Sequence, residues 1–284
     1  MRHARAYSTA CLAVLAGSIS LGGLSGQLAL APSAAAATPQ VVCRFVDPRL
    51  DEISGMAMSL AHPGVLYVHN DSSGGPYLYA VNASTCKVIA RLRIKGARAR
   101  DFEAMAAGRD ARGRPVLWVG DIGDNLDSWD WVEVLRIREP ARLVDQTLPH
   151  RSFRFTYPDR PHNAETLLAD PSGPRLWVVT KQLARGSLYA LPSPLRRDRV
   201  NLARLIRPEG GIITDGAIAP NAAGYVLRDY FDAVVYQGLP GGREVRRIYL
   251  PSQPQGESIA WTADGRALLI ASERDDRLLR VSLG

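Results

Sequence analysis

A short motif of small and apolar residues recurs five times along this chain, and an acidic residue leads most of its copies. The copies begin at Ser54, Glu103, Glu165, Gly216 and Glu257, with Asp215 directly ahead of the fourth. A polar or Gly/Pro turn follows each copy, and then comes a second apolar run. The starts are spaced by 49, 62, 51 and 41 residues, which is close to the length of one four-stranded β-propeller blade. The repeat therefore predicts an all-β fold, a β-propeller of five four-stranded blades.

The two ends of the repeat region predict how the ring closes. The last repeat, residues 257–284, is long enough for three strands but not for four. Residues 41–46 form an apolar run ahead of the first repeat and belong to no unit of their own. We predict that this N-terminal strand supplies the missing outer strand, which also removes an exposed sheet edge. Six blades are the alternative, if residues 138–162 contain a degenerate unit.

The first blade serves as the pattern for the others. Its four strands are predicted over residues 54–59, 65–69, 77–81 and 87–94. Tyr67, Trp118 and Trp177 fall at equivalent positions of the second strands, so we interpret them as blade core.

Residues 1–37 have the features of a signal peptide. Arg2 and Arg5 precede a long stretch of apolar and small residues, and Ala35 and Ala37 form the pattern that signal peptidase reads. We predict cleavage before Thr38, secretion of the chain, and a single propeller domain over residues 38–284. No other stretch approaches the apolar length that spans a bilayer, so no transmembrane anchor is expected.

Two cysteines remain after the predicted cleavage, Cys43 and Cys86. An even number of cysteines in an exported chain favours a disulfide, and this one would join the closing strand to the first blade. Two buried free thiols are the alternative.

The charge pattern says little about partners. Removing Arg2 and Arg5 lowers the formal net charge from +7 to +5, and the remaining basic residues are scattered. No basic stripe with interleaved aromatic residues is evident in the sequence, so nucleic acid is not an expected partner. We expect a monomer that recognises a small molecule or an extracellular polymer or protein.

Propeller geometry brings the polar ends of the repeats to one face, because the innermost strands start where the second strands end. The predicted metal ligands around the channel mouth are Ser54, Glu103, Glu165, Asp215 and Glu257. The predicted ligand-binding residues are Asn70, Asp71, Asp121, Asp124, Asn125, Lys181, Arg228 and Asp229.

Carboxylates gathered at a channel mouth need a compensating charge. At about 5 Å and an effective dielectric constant near 20, each pair repels by roughly 3 kcal/mol. Such a cluster binds a cation, takes up protons or pairs with a base. An all-oxygen ring suits Ca²⁺ better than Zn²⁺. The alternative is that each acid caps backbone amides at its own blade junction.

Residues 120–125 form the densest polar motif, in which glycines alternate with Asp121, Asp124 and Asn125. Glycine permits tight turns, and the side-chain oxygens suit a cation or a sugar. The motif does not match the EF-hand pattern, and a surface loop rich in Asx turns is an equal alternative.

The sequence contains no motif of a known nucleophile. It lacks a Gly-x-Ser-x-Gly elbow, a His-Glu-x-x-His motif and a phosphate-binding Gly-rich loop. The predicted catalytic residues are His162 and Glu165, with either as a general base; a structural histidine is the alternative for His162.

The runs that begin at Glu52, His69, Asp101, Gly120 and Arg138 resemble exported bacterial β-propeller proteins of the TolB-like, SMP-30-like and WD40-like groups, most of which have no assigned function. The resemblance to SMP-30 lactonases implies a divalent metal held by Glu103, Asn163 and Asp215. A second resemblance is to the calcium-activated nucleotidases (apyrases), five-bladed propellers with a central calcium. It implies a calcium site at Ser54, Glu103, Glu165 and Glu257, although Gly216 departs from the pattern unless Asp215 substitutes for it.

These observations lead to two hypotheses about function. The first is a secreted propeller that binds Ca²⁺ and a small anionic or hydroxylated ligand, with metal-dependent hydrolysis of a lactone or phosphoester as its chemistry. The second is a non-catalytic extracellular module that recognises a protein or a cell-wall polymer. The sequence alone does not discriminate between an enzyme and a binding module.

Overall fold

The computed structural model describes residues 39–71, 74–183 and 186–283, and all regular elements in these ranges are β-strands. In chain order the strands are β1 (Gln40–Arg44), β2 (Ile53–Met58), β3 (Val65–Asn70), β4 (Tyr77–Asn82), β5 (Val88–Ile94), β6 (Phe102–Arg109), β7 (Pro115–Asp121), β8 (Val132–Arg138), β9 (Gln146–Leu148), β10 (His150–Thr156), β11 (Ala164–Ala169), β12 (Leu176–Thr180), β13 (Gly186–Ala190), β14 (Asn201–Leu202), β15 (Arg204–Glu209), β16 (Asp215–Ile218), β17 (Gly224–Arg228), β18 (Asp232–Gln237), β19 (Glu244–Tyr249), β20 (Ser258–Trp261), β21 (Ala267–Ser272) and β22 (Asp275–Ser282). The predicted signal peptide, residues 1–37, lies outside the described residues.

The strands form five sheets, and each sheet is one blade. Named from the innermost strand outward, blade 1 is β2-β3-β4-β5, blade 2 is β6-β7-β8-β10 and blade 3 is β11-β12-β13-β15. Blade 4 is β16-β17-β18-β19, and blade 5 is β20-β21-β22-β1. The four strands of every blade are antiparallel, whereas β9 and β14 add to the outer edges of blades 1 and 2 in parallel.

The innermost strands close a ring around a central channel. Strand β2 packs against β6, β6 against β11, β11 against β16, and β16 against β20, which packs against β2 again. The predicted five-bladed propeller is therefore confirmed.

The hydrophobic core is divided among the spaces between neighbouring blades. Five buried clusters fill these spaces, and the one between blades 2 and 3 includes Trp118, Phe155 and Leu167. The second strand of a blade is buried along its whole length, as β3 is, because a neighbouring blade covers each of its faces. Tyr67, Trp118 and Trp177 are all buried, which confirms their interpretation as blade core.

The N-terminal strand closes the propeller as predicted. Strand β1 pairs with β22 and completes blade 5. A disulfide joins Cys43 on β1 to Cys86 in the turn before β5, so it links blade 5 to blade 1 across the seam. The predicted disulfide is confirmed, and the alternative of two free thiols is wrong.

Residues 138–162 do not form a sixth blade, so that alternative is wrong. Strand β9 extends the edge of blade 1, where Leu92 faces Gln146, and β10 is the outer strand of blade 2. The extra residues between the second and third repeat starts therefore form strands at the outer edges of blades 1 and 2. Among the described residues, no helix is long and apolar enough to cross a membrane.

Candidate functional site

The polar ends of the repeats meet at one mouth of the channel because the first and second strands of each blade are antiparallel. The register places Ile53 opposite Asn70 and Phe102 opposite Asp121. The start of an innermost strand and the end of its neighbour therefore lie side by side, and the loops that follow the second strands surround the same opening.

Three carboxyl groups form an acidic cluster at the mouth between blades 1 and 2. Asp71, Asp101 and Glu103 each offer an oxygen, and these oxygens all lie within 4.8 Å of one another. Ser54 adds a hydroxyl, which donates to Glu103 Oε2 over 3.4 Å. We call Asp71, Asp101 and Glu103 the acidic triad.

Burial makes the charged form of Glu103, the buried member of the triad, unfavourable. Glu103 is buried, and its burial, followed by the charges of Glu165, Asp101 and Asp71, raises the pKa of Glu103 well above its usual value. A cation close to these oxygens would oppose that effect.

A close approach of the backbone positions Asp101 in the triad. The amides of Ile122 and Gly123 donate to the Asp101 carbonyl, over 3.2 and 3.3 Å. A Cβ at position 123 would lie only 2.3 Å from Asp101 Oδ2, so glycine is required there. The carboxylate of Asp121 accepts from the Asp101 amide over 2.8 Å. The glycine-rich loop thus supports Asp101.

On the other side of the mouth, Lys181 bridges two carboxylates. Its Nζ lies 2.5 Å from Glu165 Oε1 and 3.1 Å from Glu257 Oε1. One ammonium neutralises one of the two carboxylates. Burial raises the pKa of Glu165 to about 8 despite the opposing charge of Lys181, and its Oε2 is buried with no hydrogen-bond partner among the described residues.

Glu257 has further partners. Tyr230 donates its hydroxyl to Glu257 Oε1 over 3.0 Å, and Gln255 donates Nε2 to Glu257 Oε2 over 3.2 Å. Gln255 also donates to Glu273. Burial, then a hydrogen bond with Glu257, raises the pKa of Glu273 to about 9.

Asp215 and Arg228 are buried links between blades 4 and 5. Asp215 Oδ2 accepts from the amide of Ile259 over 2.7 Å, which is the backbone-capping role given above as the alternative to metal binding. Arg228 donates to the carbonyls of Ser258 and Ala271 over 3.0 and 3.4 Å. Both side chains therefore have a structural partner on blade 5.

Three further predicted ligand-binding residues form hydrogen bonds with backbone groups of loops. Asn70 donates to the carbonyl of Arg49 over 2.7 Å. Asp124 Oδ2 accepts from the amides of Ser128 and Trp129, both over 2.7 Å. Asp229 Oδ1 accepts from the amide of Phe231 over 2.7 Å. Asp229 thereby forms an Asx turn with the residue two positions on, whereas the bonds of Asp124 reach four and five residues on and close a wider loop.

Asn125 is the residue of the glycine-rich loop that reaches the acidic triad. Its Nδ2 lies 3.5 Å from Asp101 Oδ2, and its Oδ1 accepts from Asn163 Nδ2 over 3.1 Å. Asn163, which the SMP-30 resemblance implies as a ligand, therefore approaches the triad through Asn125.

His162 and Glu165 belong to different hydrogen-bond networks. His162 Nε2 contacts Asp159 Oδ2 over 2.9 Å and the hydroxyl of Tyr189 over 3.1 Å. Gln182 Nε2 lies 2.9 Å from His162 Nδ1, so Nδ1 accepts this bond and the proton resides on Nε2. This is the arrangement of a hydrogen-bonded structural histidine, whereas Glu165 pairs with Lys181.

Sequence reasoning assigned no site role to three residues that contribute to the mouth, namely Asp101, Tyr230 and Gln255. A positional pattern could have identified two of them. The position two residues ahead of the repeat start is polar in all five repeats, and its occupants are Glu52, Asp101, Asn163, Thr214 and Gln255.

Comparisons with known proteins give no family for this chain. No protein-family model matches it, and no curated protein is detectably similar. Among solved structures, the PQQ-bound aldose sugar dehydrogenase from Streptomyces coelicolor aligns with 12% identity and a TM-score of 0.48, covering 87% of this chain and 98% of that chain. A similarity at this level carries no information about the site. Membership of the TolB-like, SMP-30-like or apyrase groups remains a prediction.

Proposed function

We propose that this protein is a secreted β-propeller whose channel mouth binds a divalent cation, Ca²⁺, beside a site for a small anionic or hydroxylated ligand. The observation that supports this most directly is the acidic triad, whose oxygens lie within 4.8 Å of one another. Repulsion of roughly 3 kcal/mol per carboxylate pair at about this distance is offset when a cation binds between them. The donor set consists of three carboxylates with the hydroxyl of Ser54 nearby, and oxygen ligands of this kind are the chemistry of a calcium site.

The unpartnered oxygen of Glu165 supports a cation-binding mouth as well. A buried carboxylate oxygen without a hydrogen-bond partner is costly, and a proton or a cation relieves that cost. The triad also acts electrostatically on Glu165, because the charge of Asp71 is among the causes that raise the pKa of Glu165. The negative charge of the mouth therefore extends beyond the triad toward Lys181.

Export is part of the proposal, and two observations support it. Residues 1–37 have the composition of a signal peptide, and Cys43 is bonded to Cys86. Structural disulfides of this kind persist in oxidising compartments outside the cytosol.

Calcium binding is tested by the thermal unfolding midpoint, Tm, of chain 38–284 after treatment with EDTA. Titration with Ca²⁺ is expected to raise Tm in proportion to the logarithm of free Ca²⁺ once the site is saturated. The variant Asp101→Asn/Glu103→Gln should lose this response. The matched control Asp130→Asn/Glu244→Gln, which neutralises two exposed acids outside the triad, should keep it. Failure of Ca²⁺ to raise the Tm of the unmodified chain would contradict the proposed site.

The reaction that we propose for this site is metal-dependent hydrolysis of a lactone or phosphoester. A bound divalent cation supplies Lewis-acid polarisation of a carbonyl or phosphoryl oxygen. Glu165, with a pKa raised to about 8, could accept or hold a proton near neutral pH. A substrate screen with Ca²⁺ present tests this, with Glu165→Gln expected to abolish turnover but to keep the Ca²⁺-dependent rise in Tm. Calcium binding without any turnover would favour the non-catalytic binding module.

A further inference from the structure

A groove rich in arginine lies at the outer edge of blade 2, away from the channel mouth. The chain leaves blade 3 after β13, runs along β10 of blade 2 through residues 196–200, and pairs there as β14 before it returns to blade 3 as β15. The groove between this segment and β10 has a volume of about 390 Å³. Its lining consists of Ser152, Arg154, Arg197, Asp198, Arg199 and Val200. We call it the arginine groove.

A buried asparagine holds the groove in shape. Asn201 donates Nδ2 to the carbonyls of Arg154 and Arg196, both over 2.8 Å, and its Oδ1 accepts from the Arg196 amide over 2.8 Å. Both walls of the groove are therefore attached to one side chain. The arginines project from a segment whose backbone is already ordered, which lowers the entropic cost of binding a ligand.

The three arginines of the groove are not in ion pairs. Asp198 pairs with Arg196 at an N–O distance of 3.1 Å, and the charge of Arg199 is a smaller cause of the lowered pKa of Asp198. Within residues 39–71, 74–183 and 186–283, no ion pair involves Arg154, Arg197 or Arg199. Glu133 faces Arg154 across the strand pair, and its carboxylate accepts a hydrogen bond from Ser152. All three arginines are exposed.

Stacking on tryptophan orients Arg154. Its guanidinium carbon lies 4.1 Å from the ring centroid of Trp131. Arg100 contacts the same ring at 4.5 Å and that of Trp129 at 4.0 Å, so arginine and tryptophan alternate from the groove toward the loop at the channel mouth. Cation–π contact fixes the guanidinium plane while its N–H groups remain available for other partners.

Two more arginines strengthen the positive field beside the groove. Arg136 and Arg151 are directly opposite each other on β8 and β10, an arrangement that like charges disfavour. Burial, and then the charges of Arg151 and other nearby arginines including Arg197, lower the pKa of Arg136. A bound anion would relieve this repulsion.

We propose that the arginine groove binds a segment of a phosphate-bearing anionic polymer outside the cell. Guanidinium groups match phosphate oxygens in geometry and stay charged at all physiological pH values. The groove is open to solvent and carries three exposed arginines, which suits a stretch of polymer rather than an enclosed small molecule. Trp131 is already stacked with two guanidinium groups, which favours contact with phosphate over base stacking. This surface is separate from the acidic mouth and does not depend on calcium binding.

The probe for this proposal is a fluorescently labelled poly(glycerol phosphate) chain, with binding followed by anisotropy at increasing salt. The variant Arg154→Gln/Arg197→Gln/Arg199→Gln is expected to raise Kd at least about tenfold at low salt, and each lost contact should reduce the slope of log K against log salt by about 1. The matched control is Arg204→Gln/Arg243→Gln/Arg266→Gln, which removes the same charge from exposed arginines on other blades. Its Kd should stay within about twofold of the unmodified chain.

Three outcomes would overturn the proposal. Equal weakening by both triple variants would mean that net charge alone attracts the polymer. Tighter binding of single-stranded DNA than of poly(glycerol phosphate) would assign the groove to nucleic acid. Loss of binding in EDTA would place the contact at the acidic mouth, whereas binding that survives EDTA supports the groove even if the calcium proposal fails. The Tm of each variant, expected to be unchanged because the side chains are exposed, confirms that the fold is intact.

Discussion

The ammonium of Lys181 lies 2.5 Å from Glu165 Oε1, at the junction of the channel mouth with blade 3. Lys181 also pairs with Glu257, so one positive charge serves two buried carboxylates. Hydrogen bonds and the charge of Lys181 lower the pKa of Glu257, whereas burial, with a smaller contribution from the charge of Glu257, raises the pKa of Glu165 to about 8. Among the described residues, Glu165 and Glu257 therefore share the single ammonium of Lys181.

The first prediction concerns the pH dependence of stability in EDTA. The pKa of Glu165 is about 8 in the folded chain and lies near its ordinary value of about 4.5 in the unfolded chain. Between these two values the Glu165 side chain binds a proton in the folded state but not in the unfolded state, so its contribution lowers the free energy of unfolding as pH rises from about 5 to 8 and is constant above that range. The limiting slope for one group is about 1.4 kcal/mol per pH unit. Urea unfolding of the unmodified chain and of Glu165→Gln, measured at several pH values, checks this.

In that experiment Glu165→Gln should have a shallower slope than the unmodified chain, because the amide does not titrate. Glu273, whose pKa is raised to about 9, maintains part of the slope in the variant. An identical pH dependence of the two proteins would show that Glu165 is ionised in the folded state at neutral pH.

The second prediction concerns Lys181→Gln. Loss of the ammonium removes the charged hydrogen-bond partner of Glu257 and leaves the neutral partners Tyr230 and Gln255. Removing one partner of a buried ion pair typically costs 3 to 5 kcal/mol, and we expect about 2 to 3 kcal/mol here because Lys181 retains partial exposure. The exposed Lys95→Gln is the matched control and should stay within about 0.5 kcal/mol of the unmodified chain.

The same variant has an expected effect on cation affinity in the opposite direction. Removal of a positive charge from the mouth should tighten Ca²⁺ binding while the fold becomes less stable. Calorimetric titration of Lys181→Gln therefore separates an electrostatic role from a merely structural one. Weaker binding of Ca²⁺ by this variant would contradict the placement of the cation near Glu165 and the acidic triad.

The third prediction uses Gly123 to test the triad without a change of charge. A Cβ at this position would lie 2.3 Å from Asp101 Oδ2, so Gly123→Ala must displace the Asp101 carboxylate. We expect Ca²⁺ affinity to fall at least about tenfold, since a displaced carboxylate no longer faces Asp71 and Glu103. Gly113→Ala, in a turn where nothing lies within 4 Å of the added carbon, controls for the loss of a glycine, although its positive φ adds local strain. Equal Ca²⁺ affinity of Gly123→Ala and the unmodified chain would remove Asp101 from the site.

The architecture was predictable from the sequence because propeller geometry depends on repeat spacing and strand length. The closing strand β1 could be predicted because the last repeat lacks a fourth strand. Which residues of the mouth pair with one another could not be predicted, because the pairing depends on the direction in which each side chain points. Asp215 turns to the Ile259 amide of the next blade, and Lys181 reaches Glu257 from blade 3.

The arginine groove could not be predicted from the sequence, for a related reason. Its residues come from two segments, around Arg154 and Arg197, and the stacking partner Trp131 comes from a third. They meet only because the β13–β15 connection crosses to the edge of blade 2. A search for consecutive basic and aromatic residues in the sequence cannot find such a surface, because its residues are distant in the sequence and adjacent only in the fold.

The last prediction concerns the disulfide at the seam of the propeller. Cys43 and Cys86 are separated by 43 residues in the sequence. The chain-entropy model predicts that a disulfide closing a loop of this length stabilises the folded state by about 4 kcal/mol. We expect Cys43→Ser/Cys86→Ser to lower the free energy of unfolding by roughly this amount at 25 °C, as measured by urea denaturation. Ca²⁺ affinity should be unchanged, because the bond joins blade 5 to blade 1 through β1, at the outer edge of the ring and away from the acidic triad. A variant with normal stability would mean that β1 stays paired with β22 through backbone hydrogen bonds and packing alone, and that the disulfide only secures a ring that is already closed.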